Sequence, residues 1–422
     1  MKITYIAFIL FFSLFSAFSL AQEQTVLDVK VQGNKKLKSS LIKKISKAQA
    51  GKVLDSMILE EDIKRLKRLP AVSHAYYQVF HSHDNSYNVF YTIEENFTII
   101  PSLSIYTTND DEFAYRIGLY EFNTLGQNII FGGFYQKDIF SSYGINLRAP
   151  FLFSRAFGLA VNHQDLNTEE PVFFNNTSAN YKYKNKSYEV LTLYQPNFNN
   201  RFEVGLNYFL EEYKYLNGAT SPSVPQGFSV KKLLYKGIYE YNNLDYYYQY
   251  VSGFKSLFNF QYVTSTSKDV SNFLIGWNDF HFYKRIGNKG NWANRLRLGL
   301  SSNDKTPFAP FSVDNNVNLR GVGNTIDRGT GAIVVNTEYR QTLLDKNWFA
   351  IQGNAFVDAG TWRNPGGDLS DFSKSKNIRV FSGIGFRLIH KRIFNAIFRI
   401  DYGFGITKGE TQGLVFGIGQ YF

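Results

Sequence analysis

Alternation near the C-terminus constrains this chain most. In 394–402, Phe394, Ala396, Phe398, Ile400 and Tyr402 fall on one face, and Asn395, Arg399 and Asp401 on the other. In 379–388, Val380, Ile384, Phe386 and Leu388 oppose Arg379 and Arg387. In 350–358, Ile351, Gly353, Ala355 and Val357 oppose Gln352, Asn354 and Asp358. Successive side chains of a strand point to opposite faces, so each segment reads as a strand with one apolar and one polar side. Similar segments recur from 97 to 422 at a spacing of about 20 residues, separated by Asn, Asp, Gly and Ser.

The surroundings of these strands are read from the rest of the chain. Lys2, an apolar run from Tyr5 to Phe18, and Ser19-Leu20-Ala21 before Gln22 have the layout of a secretory signal peptide over 1–21; an uncleaved anchor is the alternative. Beyond residue 21 no run of about 18 apolar residues occurs, so a helical membrane span is not expected. Yet the chain is 17% aromatic, with 40 Phe and 29 Tyr, more than a soluble core of this size would take up. A barrel in lipid turns such residues outward, lines its lumen with polar ones and needs closure, because open sheet edges are not tolerated in lipid. The expected fold class is therefore mainly β, a transmembrane antiparallel β-barrel over 97–422, with a soluble sandwich as the alternative. Five strands after residue 330 and eleven to thirteen between 97 and 302 give 16, with 14 or 18 open. The longest break in the pattern, 302–330, reads as a functional or disordered loop.

Residues 24–95 have another texture. Val26–Val31 reads as a strand, Ser39 or Ser40 as the cap of a helix through Ile45, and Met57–Leu69 as a second helix closed by Pro70. Two strands follow, Val72–Phe80 and Tyr87–Ile93, around His83-Asp84-Asn85. The net charge is +11, part of it in 34–69, with Lys35, Lys36, Lys38, Lys43, Lys44, Lys47, Lys52, Lys64, Arg65, Lys67 and Arg68. This reads as a solvated surface or one facing anionic lipid or a partner, and nucleic acid is not expected for an exported chain. There is no cysteine, hence no disulfide, thiolate metal site or cysteine nucleophile. No catalytic signature appears, and no enzyme, cofactor or metal is expected.

The strand–helix–helix–strand–strand order, with Gly33-Asn34, Gly51, Leu54-Asp55, Leu59, Asp62, Leu66 and the closing Glu94-Glu95, resembles a POTRA domain. Three further patches, Asn318-Leu319-Arg320-Gly321-Val322-Gly323, Gly331 to Arg340 with Glu338, and Phe356-Val357-Asp358-Ala359-Gly360, resemble the BamA-type POTRA–barrel superfamily. The usual aromatic fourth residue of the loop signature is replaced by Val322. The resemblance implies a loop carrying Leu319, Arg320 and Gly321 folded into the lumen, with Arg320 paired to Asp358 and Glu338 nearby. Glu338 and Asp358 both fall on the polar strand faces, as carboxylates in a lipid-borne wall must. It implies outer-membrane localisation with the N-terminal domain in the periplasm. It also implies partners: outer-membrane lipid, unfolded or nascent outer-membrane polypeptides, and periplasmic chaperones or accessory proteins. Insertion and assembly of barrel proteins is the first functional expectation. Polypeptide secretion and a plain pore are the alternatives. In the last segment Leu414, Phe416, Ile418 and Phe422 share a face, interrupted by Gln420, and read as a lipid-facing strand at the barrel's seam.

Overall fold

The computed structural model describes residues 23–107, 113–174, 177–220, 224–267, 271–303, 309–313, 318–322, 327–407 and 411–422 of the chain. The leader read over 1–21 and the motif residue Gly323 lie outside these.

The first unit comprises β1 (Thr25–Gln32), α1 (Ser39–Ile45), α2 (Ser56–Lys67), β2 (Val72–His81) and β3 (Ser86–Glu95). Its sheet order is β1-β3-β2, with β1 parallel and β2 antiparallel to β3. Leu41, Ile42 and Ile45 of α1 and Leu59 and Leu66 of α2 bury against Val89, Tyr91 and Ile93. Neither Ser39 nor Ser40 caps α1. Both already lie within its first turn, the cap position is Lys38, and Ser39 receives a hydrogen bond from Asn34 Nδ2 at 3.1 Å. Asp55 caps α2 by accepting from Met57 N at 2.8 Å.

Two carboxylates explain motif positions in this unit. Glu95 accepts from the backbone N–H groups of Lys35, Lys36 and Leu37 at 2.7, 3.0 and 2.8 Å, closing the turn opened at Gly33. Buried Asp62 accepts from Lys47 N at 2.8 Å, Ala48 N at 3.0 Å and the Tyr91 hydroxyl at 2.8 Å. Burial, and then the Asp62 charge, push the Tyr91 phenol up.

The wall of the second unit begins with β4 (Ile99–Thr107), β5 (Phe113–Thr124), β6 (Ile129–Lys137) and β7 (Ser141–Ala149). It continues through β8 (Phe157–Phe174), β9 (Thr177–Tyr194), β10 (Asn200–Gly218) and β11 (Gly227–Asn242), which the short β12 (Asp245–Tyr247) prolongs. Next come β13 (Tyr250–Ser265), β14 (Phe273–Ile286) and β15 (Gly290–Ser301). The loop 302–330 is not strandless, because β16 (Phe311–Val313) and β17 (Asp327–Gly329) pair within it. The wall resumes as β18 (Gly331–Asp345), β19 (Phe349–Arg363), β20 (Ile378–His390), β21 (Ile397–Gly405) and β22 (Gln412–Ile418), and β22 neighbours β4. Sixteen antiparallel strands close the ring, as the alternation predicts.

The outward face is apolar: Ile384, Phe386, Phe398 and Phe416 are 61%, 57%, 56% and 67% exposed, and many others resemble them. Each such side chain forgoes about 1.5–3 kcal/mol if left in water, so this band requires lipid. Inward positions hold Glu189, Glu203, Glu240, Asp279 and Arg295, all buried. The wall is uneven. At about 3.3 Å per residue and a tilt of roughly 40°, the 19 residues of β10 rise about 48 Å and the seven of β22 about 18 Å.

Three residues of the first unit's basic run, Lys44, Lys67 and Arg68, dock on the barrel's near-side turns. Arg68 donates to the carbonyls of Leu244 at 2.8 Å, Asn242 at 2.9 Å and Phe198 at 3.3 Å, with its guanidinium 3.9 Å from the Phe198 ring centre. Lys67 pairs with Asp245 at 2.8 Å, and Lys44 donates to Phe151 O at 2.7 Å. These three charges therefore serve an internal interface, while Lys35, Lys36, Lys38, Lys43, Lys47, Lys52 and Lys64 stay exposed. Replacing Arg68 by Ala removes charged hydrogen bonds worth about 1.5–3 kcal/mol each when unshared with water. The expected result is at least tenfold faster amide exchange in 242–249, with exchange in 378–390 unchanged.

Candidate functional site: a loop clamped to the lumenal wall

Each residue of Leu319-Arg320-Gly321 has a separate physical task. Leu319, fully buried, packs with Val313, Val322, Val334, Trp362 and Phe381. It fills the space over Gly360, where an added Cβ would meet Leu319 Cδ1 at 3.1 Å and Val313 Cγ1 at 3.2 Å. Val322, standing where an aromatic is usual, is 1% exposed in the same cluster. Gly321 has φ +99°, a conformation open to glycine, and its missing side chain faces the backbone of Gly403 on β21. A Cβ on Gly403 would in turn come within 2.4 Å of Arg320 O. Paired glycines thus let loop and wall backbones touch.

Arg320 grips Asp358 as a fork. Nε donates to Oδ2 at 2.8 Å, Nη2 to Oδ1 at 2.9 Å, and the Arg320 backbone N to Oδ2 at 3.0 Å. Nη1 donates to Glu338 and lies 3.7 Å from Asp401. The guanidinium stacks 3.6 Å from the Phe356 ring centre. Every one of these charged groups is buried. The strand pattern explains the convergence: Glu338 is inward on β18, Asp358 on β19, Asp401 on β21. Inward glycines of β20 make room, since a Cβ on Gly383 would strike the Phe356 ring and one on Gly385 the Asp401 carboxylate.

The cluster is larger than the sequence reading. Arg387 donates to Asp401 at 2.8 Å and Glu338 at 3.3 Å, Arg340 donates to Glu338, and Arg399 lies 3.6 Å from Asp401. Asn336 donates to both Asn318 O and Asp358 Oδ1 at 2.8 Å, and Arg295 donates to Asn336 at 2.9 Å. The wall thus supplies three acids, and Arg320 is the loop's contribution. Alternation places Asp401, Arg387 and Arg399 on polar faces. Their meeting with Arg320 depends on barrel curvature, which no local pattern encodes. Gly331, the remaining signature residue, starts β18 beside Leu300 and Phe372.

The end of the chain departs from the lipid-facing reading. Leu414 and Phe416 face outward and Ile418 ends β22. Gly419 has φ +90° and donates the last ladder-like bond, to Ile397 O at 2.8 Å. This turn takes the chain off the strand path and into the lumen. Tyr421, 6% exposed, then lies 4.5 Å from the Arg320 guanidinium and 4.8 Å from that of Arg399. Phe422 packs beside Leu244, Tyr283 and Ala293, with Arg295 and Arg340 each 5.7 Å from its ring centre. Phe422 therefore shares neither face nor register with Phe416.

Among the described residues the lumen holds cavities at two levels. A polar cavity of about 470 Å³ is lined by Asn146, Asn162, Gln164, Glu189, Asn207 and Lys236 of β7–β11. A second, of about 280 Å³, lies toward the loop among Tyr183, Phe209, Glu211, Lys232 and Pro310.

The class follows from fold and site together: a sixteen-stranded barrel, a long loop clamped inside it, and an α+β unit at one mouth. No protein-family model matches the sequence, and no curated protein is detectably similar to it. Among solved structures the chain is similar to BamA from Haemophilus ducreyi lacking POTRA domains 1-3, with TM-score 0.56 and 16% identity over 93% of this chain and 84% of that one. It is also similar to CdiB from Acinetobacter baumannii, with TM-score 0.59 and 13% identity over 94% and 74% of the two chains. CdiB from Escherichia coli gives TM-score 0.61 and 11% identity over 93% and 75%. In fold, this chain is a barrel of the BamA and CdiB type.

Proposed function

We propose that the chain is an outer-membrane protein of the BamA-type superfamily that inserts or assembles other outer-membrane proteins. In this reading the first unit is a periplasmic POTRA domain. A match covering 93% of the chain reaches past the barrel, which starts at Ile99, into that unit, and this supports the assignment.

The observation that carries the reading is the free edge of β2. The other edge, β1, is covered by 51–54: Val26 N donates to Lys52 O at 2.8 Å and Gly51 N to Val26 O at 2.8 Å. Among the described residues nothing pairs with the outer side of β2. An unpaired edge can accept an extended polypeptide through main-chain hydrogen bonds that tolerate varied sequence. It stands at the mouth of a barrel whose closing strand, β22, is the shortest of the wall. A client strand would pass from β2 toward the β22–β4 seam, while Arg320 holds the loop. Secretion is the second reading, favoured by the polar cavity along β7–β11, which offers a polypeptide a wet path.

Photocrosslinking from exposed Tyr76, Gln78 and Phe80 of β2, followed by mass spectrometry, tests this. Recovery of several barrel precursors is the expected result. Recovery of one secreted protein would replace insertion by secretion, and recovery of no polypeptide would sink both.

A further inference from the structure

The outer face of β8–β11 changes character sharply along its length. Tyr188 and Tyr208, directly opposite each other, and Tyr235 point outward at 49%, 45% and 47% exposure. Below them the same faces carry Val190, Val204 and Leu206. This is an aromatic girdle over an apolar band. Above it the outward positions turn charged, with lysines in excess over acids. Asp165, Lys186, Leu210 and Lys231 form the next row, then Asn167, Lys184, Glu212 and Ser229, then Glu169, Lys182, Lys214 and Gly227.

The partners of these lysines decide the case. Inward lysines on this side of the wall each hold a carboxylate: Lys232 with Glu211 at 2.5 Å, Lys236 with Glu189 at 2.9 Å, Lys255 with Glu240 at 3.2 Å. Among the described residues, outward Lys184, Lys186, Lys214 and Lys231 have no ion pair. The Lys182 ammonium lies 4.5 Å from the Phe140 ring centre. Asp165, Glu169 and Glu212 share this face, and five lysines outnumber them. Lys182 and Lys214 are direct cross-strand partners, a like-charge pairing that destabilises a sheet; Glu169 stands opposite Lys182 on its other side, whereas Lys214 has only Lys182 and Gly227 opposite it. The rows rise about 5 to 15 Å above the tyrosines, taking about 3.3 Å per residue at a tilt of roughly 40°.

We propose that the lysine rows of β9–β11 bind the phosphate groups of an anionic glycolipid headgroup in the outer leaflet, with Lys182 and Lys214 as the central pair. The lysines continue directly from the lipid-facing band, which selects a membrane lipid over a soluble anion. Their vertical spread suits phosphates carried on sugars, set at more than one height. The length of β8–β10, 18, 18 and 19 residues, is what lifts the rows to that level. The proposal rests on the outer-membrane reading, and membrane fractionation of the same cells tests that reading separately.

Binding of a bisphosphorylated, acylated glucosamine disaccharide to the purified full chain in detergent, measured by native mass spectrometry, is the test. The arms are its dephosphorylated form, inorganic phosphate alone, and the Lys182→Gln/Lys214→Gln chain. Heat-modifiable electrophoretic mobility verifies that the variant barrel is folded. The expected result is at least tenfold weaker binding for the dephosphorylated lipid and for the double variant, and negligible retention of inorganic phosphate. Equal binding of both lipid forms, an unaffected double variant, or inorganic phosphate held as tightly as the lipid would each overturn the site. An acidic soluble protein captured in place of lipid would overturn it as well.

Discussion

Arg320→Ala is expected to lower the temperature at which the folded barrel loses its compact electrophoretic form by more than any other single change in the lumen. Arg320 is fully buried and supplies three donors to Asp358, counting its backbone N, and one to Glu338. Removing one partner of a buried pair leaves the other charge without compensation, at about 3–5 kcal/mol. Glu338 keeps Arg340 and Arg387, and Asp401 keeps Arg387 and Arg399. Among the described residues, Asp358 keeps only Asn336 as a side-chain donor. The stranded charge is therefore Asp358. Arg320→Ala/Asp358→Asn is expected to recover much of the loss, so the two changes together cost less than the sum of each alone. Strict additivity in that double-mutant cycle would show that the fork is not what holds the loop. A charge swap between the two positions is a poorer test, because an Arg at 358 would meet the Arg320 carbonyl side of the loop and leave Glu338 without its Arg320 contact.

The strand count and the inward orientation of Glu338, Asp358, Arg387 and Asp401 were legible because a period of two leaves no choice of face once lipid claims the other. The fork of Arg320 on Asp358 came from resemblance of the motifs, not from spacing. What escaped the sequence depends on three-dimensional closure. Gly383, Gly385 and Gly403 look like ordinary strand glycines until the curvature of the wall brings Phe356, Asp401 and the loop backbone against them. The inward turn of Tyr421 and Phe422 is hidden from a period of two because Gly419, with its positive φ, ends the alternation before them. The docking of Arg68 is invisible in the sequence because its acceptors, the carbonyls of Asn242 and Leu244, are backbone atoms more than 170 positions away.

Those wall glycines lead to the second large effect. Gly403→Val is expected to release the loop and convert the barrel from small flickering conductance to a steady, severalfold larger one in planar bilayers. The reasoning is steric. A Cβ at 403 would stand 2.4 Å from Arg320 O and 3.0 Å from Gly321 Cα, and both obstacles are backbone. Neither can swing aside as a side-chain tip can, so the loop must lift from β21, and Arg320 moves with it. A barrel of about 16 strands is wide enough for an aqueous channel once its filling leaves. Gly413→Val on β22 is the matched control, since a Cβ there meets nothing within 4 Å. Equal conductance for Gly403→Val and Gly413→Val would mean that the clamp at Gly321 and Gly403 does not close the lumen. A rise confined to Gly403→Val, with the barrel still folded, would identify backbone contact between loop and wall as the closure, and Arg320 as the charge that keeps it in register.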